Sequence, residues 1–247
     1  MSDVYAVIGG SGLYAIDESF RADPNKSSST PYGDISAELL IGELNGCHAV
    51  FLPRHGASHH IPPHKINYRA NLWALHEMGV THIIAVNAVG GIDFGPHSLV
   101  LADQIIDYTS DRLHTFYDGE GSELDHIDFS SPYSEPLREK IIRSSRALGM
   151  DLYTSATYGC TNGPRLETSA EIQKMQRDGC NIIGMTGMPE AALARELDMQ
   201  YASIAMVVNW CSGITEAVLD MDELRRILDL GMDSVIRLIS ATLEQAD

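Results

Sequence analysis

Basic residues are scarce in this chain of 247 residues: 17 Lys and Arg stand against 34 Asp and Glu, a formal charge of −17. Neutralising a nucleic-acid backbone takes clustered Lys and Arg, so the deficit argues against a nucleic-acid partner. Any anionic substrate must be held by a local pocket rather than by the field of the whole protein. Cysteine is sparse too. Cys47, Cys160, Cys180 and Cys211 show no Cys-x-x-Cys spacing, which suggests neither a metal site nor a disulfide framework and leaves buried thiols. No apolar run reaches the roughly 20 residues of a membrane-spanning helix, and the start, MSDVYAVIGG, lacks a basic stretch followed by a signal-like core. The expected setting is the cytoplasm, with no membrane partner. Composition is otherwise ordinary, 44% aliphatic and aromatic and 21% charged, and the length suits one α/β domain over residues 1–247.

What the chain does contain is a set of apolar runs that end in small or polar residues. Val4 to Ile8 runs into Gly9-Gly10-Ser11-Gly12, a first strand and a glycine-rich turn. Backbone amides freed by such a turn, with the Ser11 hydroxyl beside them, can wrap an oxyanion; a tight turn with no ligand is the alternative. Ile83 to Val89 reads as a central strand with Asn87-Ala88-Val89-Gly90-Gly91 at its end. Residues 181–211 read as a strand at Ile182 and Ile183, a loop Gly184-Met185-Thr186-Gly187, a helix opened by Pro189 and Glu190, and a second strand from Tyr201 to Val208 that stops at Asn209. Two apolar strands joined by a helix point to a parallel sheet covered on both faces, with ligands outside the carboxyl ends of its strands.

Other stretches fill in the frame. Asn45-Gly46 predicts a hairpin between Ile35–Glu43 and Cys47–Leu52. Helices are expected over 67–78, 135–148, through Met175, and from Met221 to Leu243 behind an Asp220 cap; strands are expected over 99–106 and 152–160. Residues 107–132 form a long polar and aromatic loop, of a length that usually marks an interface or a lid. The loop Pro53 to His64 holds Arg54 and four of the ten histidines. His55 and His59 would suit a metal only on a helix, which the glycine and prolines oppose. Arg54 and His55 directly after a strand suit an anion better, and a solvated loop is the other reading. Glu167 fits either a carboxylate at a helix start or a ligand acceptor.

Taken together, Ser11 in GGSGL, RHG at 54–56, NYRANLWAL at 67–75, AVNAVGG at 85–91, GPRLET at 163–168, GMTGMPEA at 184–191 and YASIAMVVN at 201–209 resemble one family. It is the trimeric purine nucleoside phosphorylase and methylthioadenosine phosphorylase family, with the nearest likeness to members that cleave methylthioinosine. The resemblance implies a mixed, largely parallel sheet flanked by helices, and phosphorolysis with inorganic phosphate as co-substrate and no other cofactor. By motif position, phosphate would be held by Ser11, Arg54, His55, Asn87, Ala88 and Thr186. Met185 would lie along the ribose and Leu166 at the base, where relatives often stack a Phe. Asn209 would donate to the departing purine. The pair Glu167 and Asn209 would favour a 6-oxopurine, because a carboxylate accepts from the nitrogen-1 hydrogen of hypoxanthine and meets only a lone pair on adenine. Met221, at the start of the last helix, would suit a methylthio group, with plain core packing as the alternative. His126 would reach into a neighbouring subunit of a homotrimer. Trp210 and Cys211 depart from the family pattern and would reshape the base pocket. Cleavage of methylthioadenosine, general 6-oxopurine phosphorolysis, and ligand binding without catalysis are the competing expectations.

Overall fold

A computed structural model describes residues 3–10, 13, 20–22, 28–119, 124–216 and 220–245. Its strands are β1 (Tyr5–Gly9), β2 (Arg21–Ala22), β3 (Ser29–Thr30), β4 (Gly33–Asp34), β5 (Leu40–Leu44), β6 (Cys47–Pro53), β7 (His82–Gly91), β8 (Leu99–Leu101), β9 (Gln104–Asp107), β10 (Thr157–Cys160), β11 (Ile182–Gly184) and β12 (Gln200–Trp210). The helices are α1 (Tyr68–Glu77), α2 (Glu135–Ala147), α3 (Ser169–Arg177), α4 (Glu190–Glu196) and α5 (Met221–Glu244), with one 3-10 turn at Pro63–Lys65. Local chemistry sets several boundaries. Asn45 and Gly46 both adopt positive φ in the β5–β6 turn, as a tight hairpin requires. Asn67 caps α1, Ser134 caps α2, Thr168 and Glu171 form a reciprocal cap on α3, and Asp220 caps α5.

The central strands alternate between two helical layers, as a period of two demands. Ala6, Ile8, Ile83, Ala85, Ala205 and Val207 pack with α1 and α4. Tyr5, Val7, Ile84, Val86, Ile204 and Met206 face α2 and α5. A third, smaller cluster joins Ile172 and Met175 of α3 to Ile183 and Cys211.

The sheet, ten strands among the described residues, branches at β7. One edge of β7 is paired in parallel with β12 from end to end. The other edge pairs with β1 only as far as Ala85, then with β11 at Gly90 and Gly91. Between these partners, residues 86–89 of β7 lie along a gap. This corrects the simple parallel crossover expected for residues 181–209: β11 runs antiparallel to β7 while β12 runs parallel to it, and the two do not pair with each other. With only three residues, β11 joins the far end of β7 and continues into β10 and β9. The strand expected over 99–106 is also two strands. Asp103 breaks it by accepting from the Ala156 amide and the Ser155 hydroxyl, and β8 goes to β12 while β9 goes to β10.

Gly91 closes the branch. A Cβ built there would lie 1.7 Å from the Phe94 carbonyl oxygen, a backbone atom that cannot step aside as a side chain would. Replacing Gly91 with Ala is expected to lower the unfolding free energy by about 3 kcal/mol, the upper range for overpacking. Urea denaturation checks this, and an unchanged midpoint would contradict the packing described.

Candidate active site

The gap beside β7 opens into a cavity of about 440 Å³ lined by the ends of four strands and the loop after β6. Arg54, first residue after β6, reaches under it. The side chain is 1% exposed, and its fork grips Glu190 of α4, Nε to Oε2 at 2.7 Å and Nη2 to Oε1 at 2.8 Å. Nη2 also donates to Asn87 Oδ1 at 3.3 Å, and Nη1 to the Val86 carbonyl at 3.1 Å. That carbonyl sits on the unpaired edge of β7, so Arg54 supplies the bond a strand would have made. The bidentate face expected to meet an anion is therefore engaged by Glu190. One hydrogen on Nη1 is left without an acceptor among the described residues. Burial opposes the guanidinium's charge, but Glu190 outweighs it and holds the pKa above the ordinary value.

His55 comes next. Its Nδ1 lies 2.8 Å from the Ile61 carbonyl, which can only accept, so Nδ1 carries the hydrogen and Nε2 of the neutral ring is an acceptor. Burial and the neighbouring Arg54 charge push the His55 pKa down to about 4. Gly10 faces this ring; a Cβ there would come within 3.0 Å of it, so glycine is what allows the turn after β1 to approach. Ser11 lies outside the described residues.

On β7, Asn87 is buried and its Nδ2 has no partner among the described residues. Ala88 is exposed to the cavity, and strand alternation puts its N–H on the same open edge as the Val86 carbonyl. Thr186 is buried at the mouth of the loop after β11, its N–H 3.4 Å from the Tyr158 hydroxyl. Arg54, His55, Asn87, Ala88 and Thr186 thus line one cavity, together with the rings of His59 and His60.

β12 and the segment after β10 also contribute to this cavity. A bulge between Val207 and Asn209 shifts the register of β12 against β7, so both Val208 and Asn209 line the cavity. Asn209 is therefore a strand residue rather than the end of one. Its Nδ2 donates to the Trp210 carbonyl at 2.7 Å, leaving a second hydrogen and Oδ1 for a ligand. Glu167 lines the same cavity and accepts from the Thr161 hydroxyl at 2.6 Å. The helix-start role open to it is filled by Thr168 and Glu171. Met185 and Leu166 also line the cavity, as does Cys211, whose thiol is pushed up to about 12, chiefly by burial.

A sequence model described as the phosphorylase superfamily matches residues 4–244. The chain belongs to the phosphorylase superfamily. This phosphorylase is 49% identical over 234 residues to a probable S-methyl-5'-thioinosine phosphorylase of Pseudomonas syringae pv. tomato, covering 94% of this chain and 95% of that one. It is 42% identical to the 6-oxopurine nucleoside phosphorylase of Pyrococcus furiosus, over 96% of this chain and 91% of the relative. Among solved structures it superimposes on methylthioadenosine phosphorylase from Schistosoma mansoni in complex with adenine with a TM-score of 0.87, at 31% identity and covering 98% and 91% of the two chains.

Three expected site residues of the phosphorylase lie elsewhere. Met221 is 51% exposed and lines neither this cavity nor the adjoining one, because the first turn of α5 turns it to solvent; Leu224, one turn on, lines both. Trp210 lines only the adjoining cavity, its ring against Gly95, where a Cβ would be 3.0 Å away. His126 is exposed and outside the cavity of its own chain. Two residues escaped the sequence reading. Glu190 was read only as opening a helix, and Arg112 lies in the long loop. Arg112 donates to the carbonyls of Thr161, Asn162, Met185 and Met188 and to the Tyr68 hydroxyl. Its only sequence signal is a cation among polar loop residues.

The His55 geometry sets a pH dependence. Its folded pKa of about 4 lies below the unfolded value of about 6.5, so between these the unfolded chain binds the proton that the fold refuses. The contribution is fully present above about pH 6.5 and is lost as pH falls toward 4. In His55→Gln, the slope of unfolding free energy against pH across this window should be shallower than in the wild type. Identical slopes would show that the ring is not held neutral.

Proposed function

We propose that this protein catalyses phosphorolysis of 5'-methylthioinosine, releasing hypoxanthine and 5-methylthioribose 1-phosphate. The observation that carries the reading is that the Glu167 carboxylate and the Asn209 amide line the same cavity as Arg54, Ala88 and Thr186. Phosphate would lie within reach of the remaining Nη1 hydrogen of Arg54, the Ala88 N–H and the Thr186 hydroxyl, with Asn87 Nδ2 beside them; Ser11, assigned to phosphate by motif position alone, lies outside the described residues. An oxygen of phosphate attacks the anomeric carbon, the bond to purine nitrogen-9 breaks, and its electron pair leaves with the base. Asn209 donates to that developing charge at nitrogen-7 or the 6-oxo oxygen, and fixed donors aimed at charge formed in the transition state are the main source of rate here. His55, neutral and accepting at Nε2, receives a hydrogen from the phosphate monoanion or from a ribose hydroxyl.

Base choice follows from Glu167. The nitrogen-1 hydrogen of hypoxanthine pairs with the carboxylate, whereas adenine leaves it unpaired, a penalty of about 1–3 kcal/mol. At the sugar end, the aliphatic Leu224 suits a methylthio group better than a hydroxyl. The probable methylthioinosine phosphorylases at 49% identity support this reading. A second reading, cleavage of methylthioadenosine, draws support from the solved structures named for that activity. Among the described residues no helix is long and apolar enough to cross a membrane; a cytoplasmic setting belongs to this reading, and the family likeness supports a homotrimer into whose neighbouring site His126 would extend.

Phosphate-dependent cleavage of methylthioinosine, methylthioadenosine, inosine and adenosine, measured side by side, tests the proposal. Methylthioinosine is expected to show the highest kcat/KM, at least about tenfold above methylthioadenosine; equal release of adenine would overturn it. In Asn209→Asp, relative activity should move toward 6-aminopurines, because a protonated carboxyl can donate to nitrogen-7 while its ionised form accepts from an exocyclic amine. Unchanged ratios would mean that the base is read elsewhere.

A further inference from the structure

Glu167 stands between two cavities. In front is the candidate active site; behind is a cavity of about 290 Å³ lined by Tyr108, Thr161, Arg165, Lys174 and their neighbours. A carboxylate placed so can rotate either way, and behind it stand Lys174 and an Arg165 already paired through both Nη atoms to Glu171. Thr161 opposes this freedom. It is buried just past β10, its N–H donates to the Gly184 carbonyl at 2.9 Å, and its hydroxyl lies 2.6 Å from Glu167 Oε1 but 3.5 Å from the Gly184 carbonyl. A hydroxyl has one hydrogen, and the short contact to a carboxylate takes it. Oε1 is thereby anchored, and Oε2 is left without a donor among the described residues.

The anchor is itself fixed. Arg112 Nη2 donates to the Thr161, Asn162 and Met185 carbonyls at 3.2, 3.1 and 2.9 Å, while Nη1 reaches the Met188 carbonyl and the guanidinium lies over the Tyr68 ring. One side chain thus ties the segment carrying Thr161 to the loop carrying Met185 and Thr186. From this geometry we infer that Thr161, held in place by Arg112, is a positioning residue that presents Glu167 Oε2 to the base and so sets the preference for 6-oxopurines. The inference rests on the proposed role of Glu167 as acceptor of the nitrogen-1 hydrogen.

Three variants test it. Thr161→Val keeps the shape and removes the hydroxyl, Thr161→Ala removes it without placing a methyl against the carboxylate, and Thr161→Ser restores it. The readouts are the ratio of kcat/KM for methylthioinosine over methylthioadenosine, and the KM for phosphate. Val and Ala should each lower the ratio by about tenfold, the scale of one hydrogen bond to a charged group, with the phosphate KM unchanged; Ser should retain the wild-type ratio. Equal losses on both nucleosides, or a ratio unmoved in whichever of Val and Ala folds, would overturn the inference. A wild type that shows no preference for methylthioinosine would instead refute the role of Glu167 itself, and that measurement comes first.

Discussion

A buried ion pair between Arg54 and Glu190 is the interaction on which the rest of this structure depends. Both side chains are essentially inaccessible, 1% and 0% exposed, and removing either partner would leave a charge that costs about 3–5 kcal/mol to keep buried. The pair joins the end of β6 to the first turn of α4. Through Val86 and Asn87 it reaches β7, and Tyr201 of β12 completes it by donating its hydroxyl to Glu190 Oε1 at 2.8 Å. Three strands and a helix are thereby set in register beneath the cavity. The pair also decides the local charge. Arg54 and Glu190 cancel and His55 is neutral, so the cavity floor carries no formal excess of positive charge. An anion there would be met by directed N–H and O–H groups rather than by a field, which is how a chain of charge −17 would hold the proposed phosphate.

The branching of the sheet explains why the cavity lies where it does. Residues 86–89 of β7 have a strand on one side only, because β1 stops at Ala85 and β11 begins at Gly90. Unpaired backbone groups inside a protein demand partners. Arg54 answers the Val86 carbonyl, and the N–H of Ala88 remains for a ligand. The bulge in β12 brings Val208 and Asn209 to the same cavity. A gap in one strand's pairing and an extra residue in its neighbour's thus open one cavity about a single strand, where the proposed phosphorolysis would take place.

Much of this was legible in the sequence because it rested on short-range chemistry. The Asn-Gly hairpin, the cap at Asp220 and the small or polar residues that end the apolar strands all announce themselves within a few positions. Ser11 and Trp210 apart, the residues expected at phosphate and base line one cavity. What could not be read was long-range. Nothing near Arg54 says that its counterion is 136 residues away, so its fork was assigned wholly to the anion. Three-residue strands carry too little pattern to fix a direction, and β11 came out antiparallel for that reason. A helix start gives a residue's turn but not its face: Met221 is turned to solvent, and Leu224, one turn on, lines the cavity. Arg112 and Thr161 act through carbonyls and a single hydroxyl, features without sequence periodicity.

The most direct test of the account is a crystal structure with inorganic phosphate and hypoxanthine bound together. Phosphate oxygens should lie within hydrogen-bonding distance of Arg54 Nη1, the Ala88 N–H and the Thr186 hydroxyl, with Arg54 still paired to Glu190. The purine should place its nitrogen-1 hydrogen on Glu167 and its five-membered ring or 6-oxo oxygen at Asn209. Phosphate bound away from the gap beside β7, or an Arg54 that abandons Glu190 to reach it, would contradict the account.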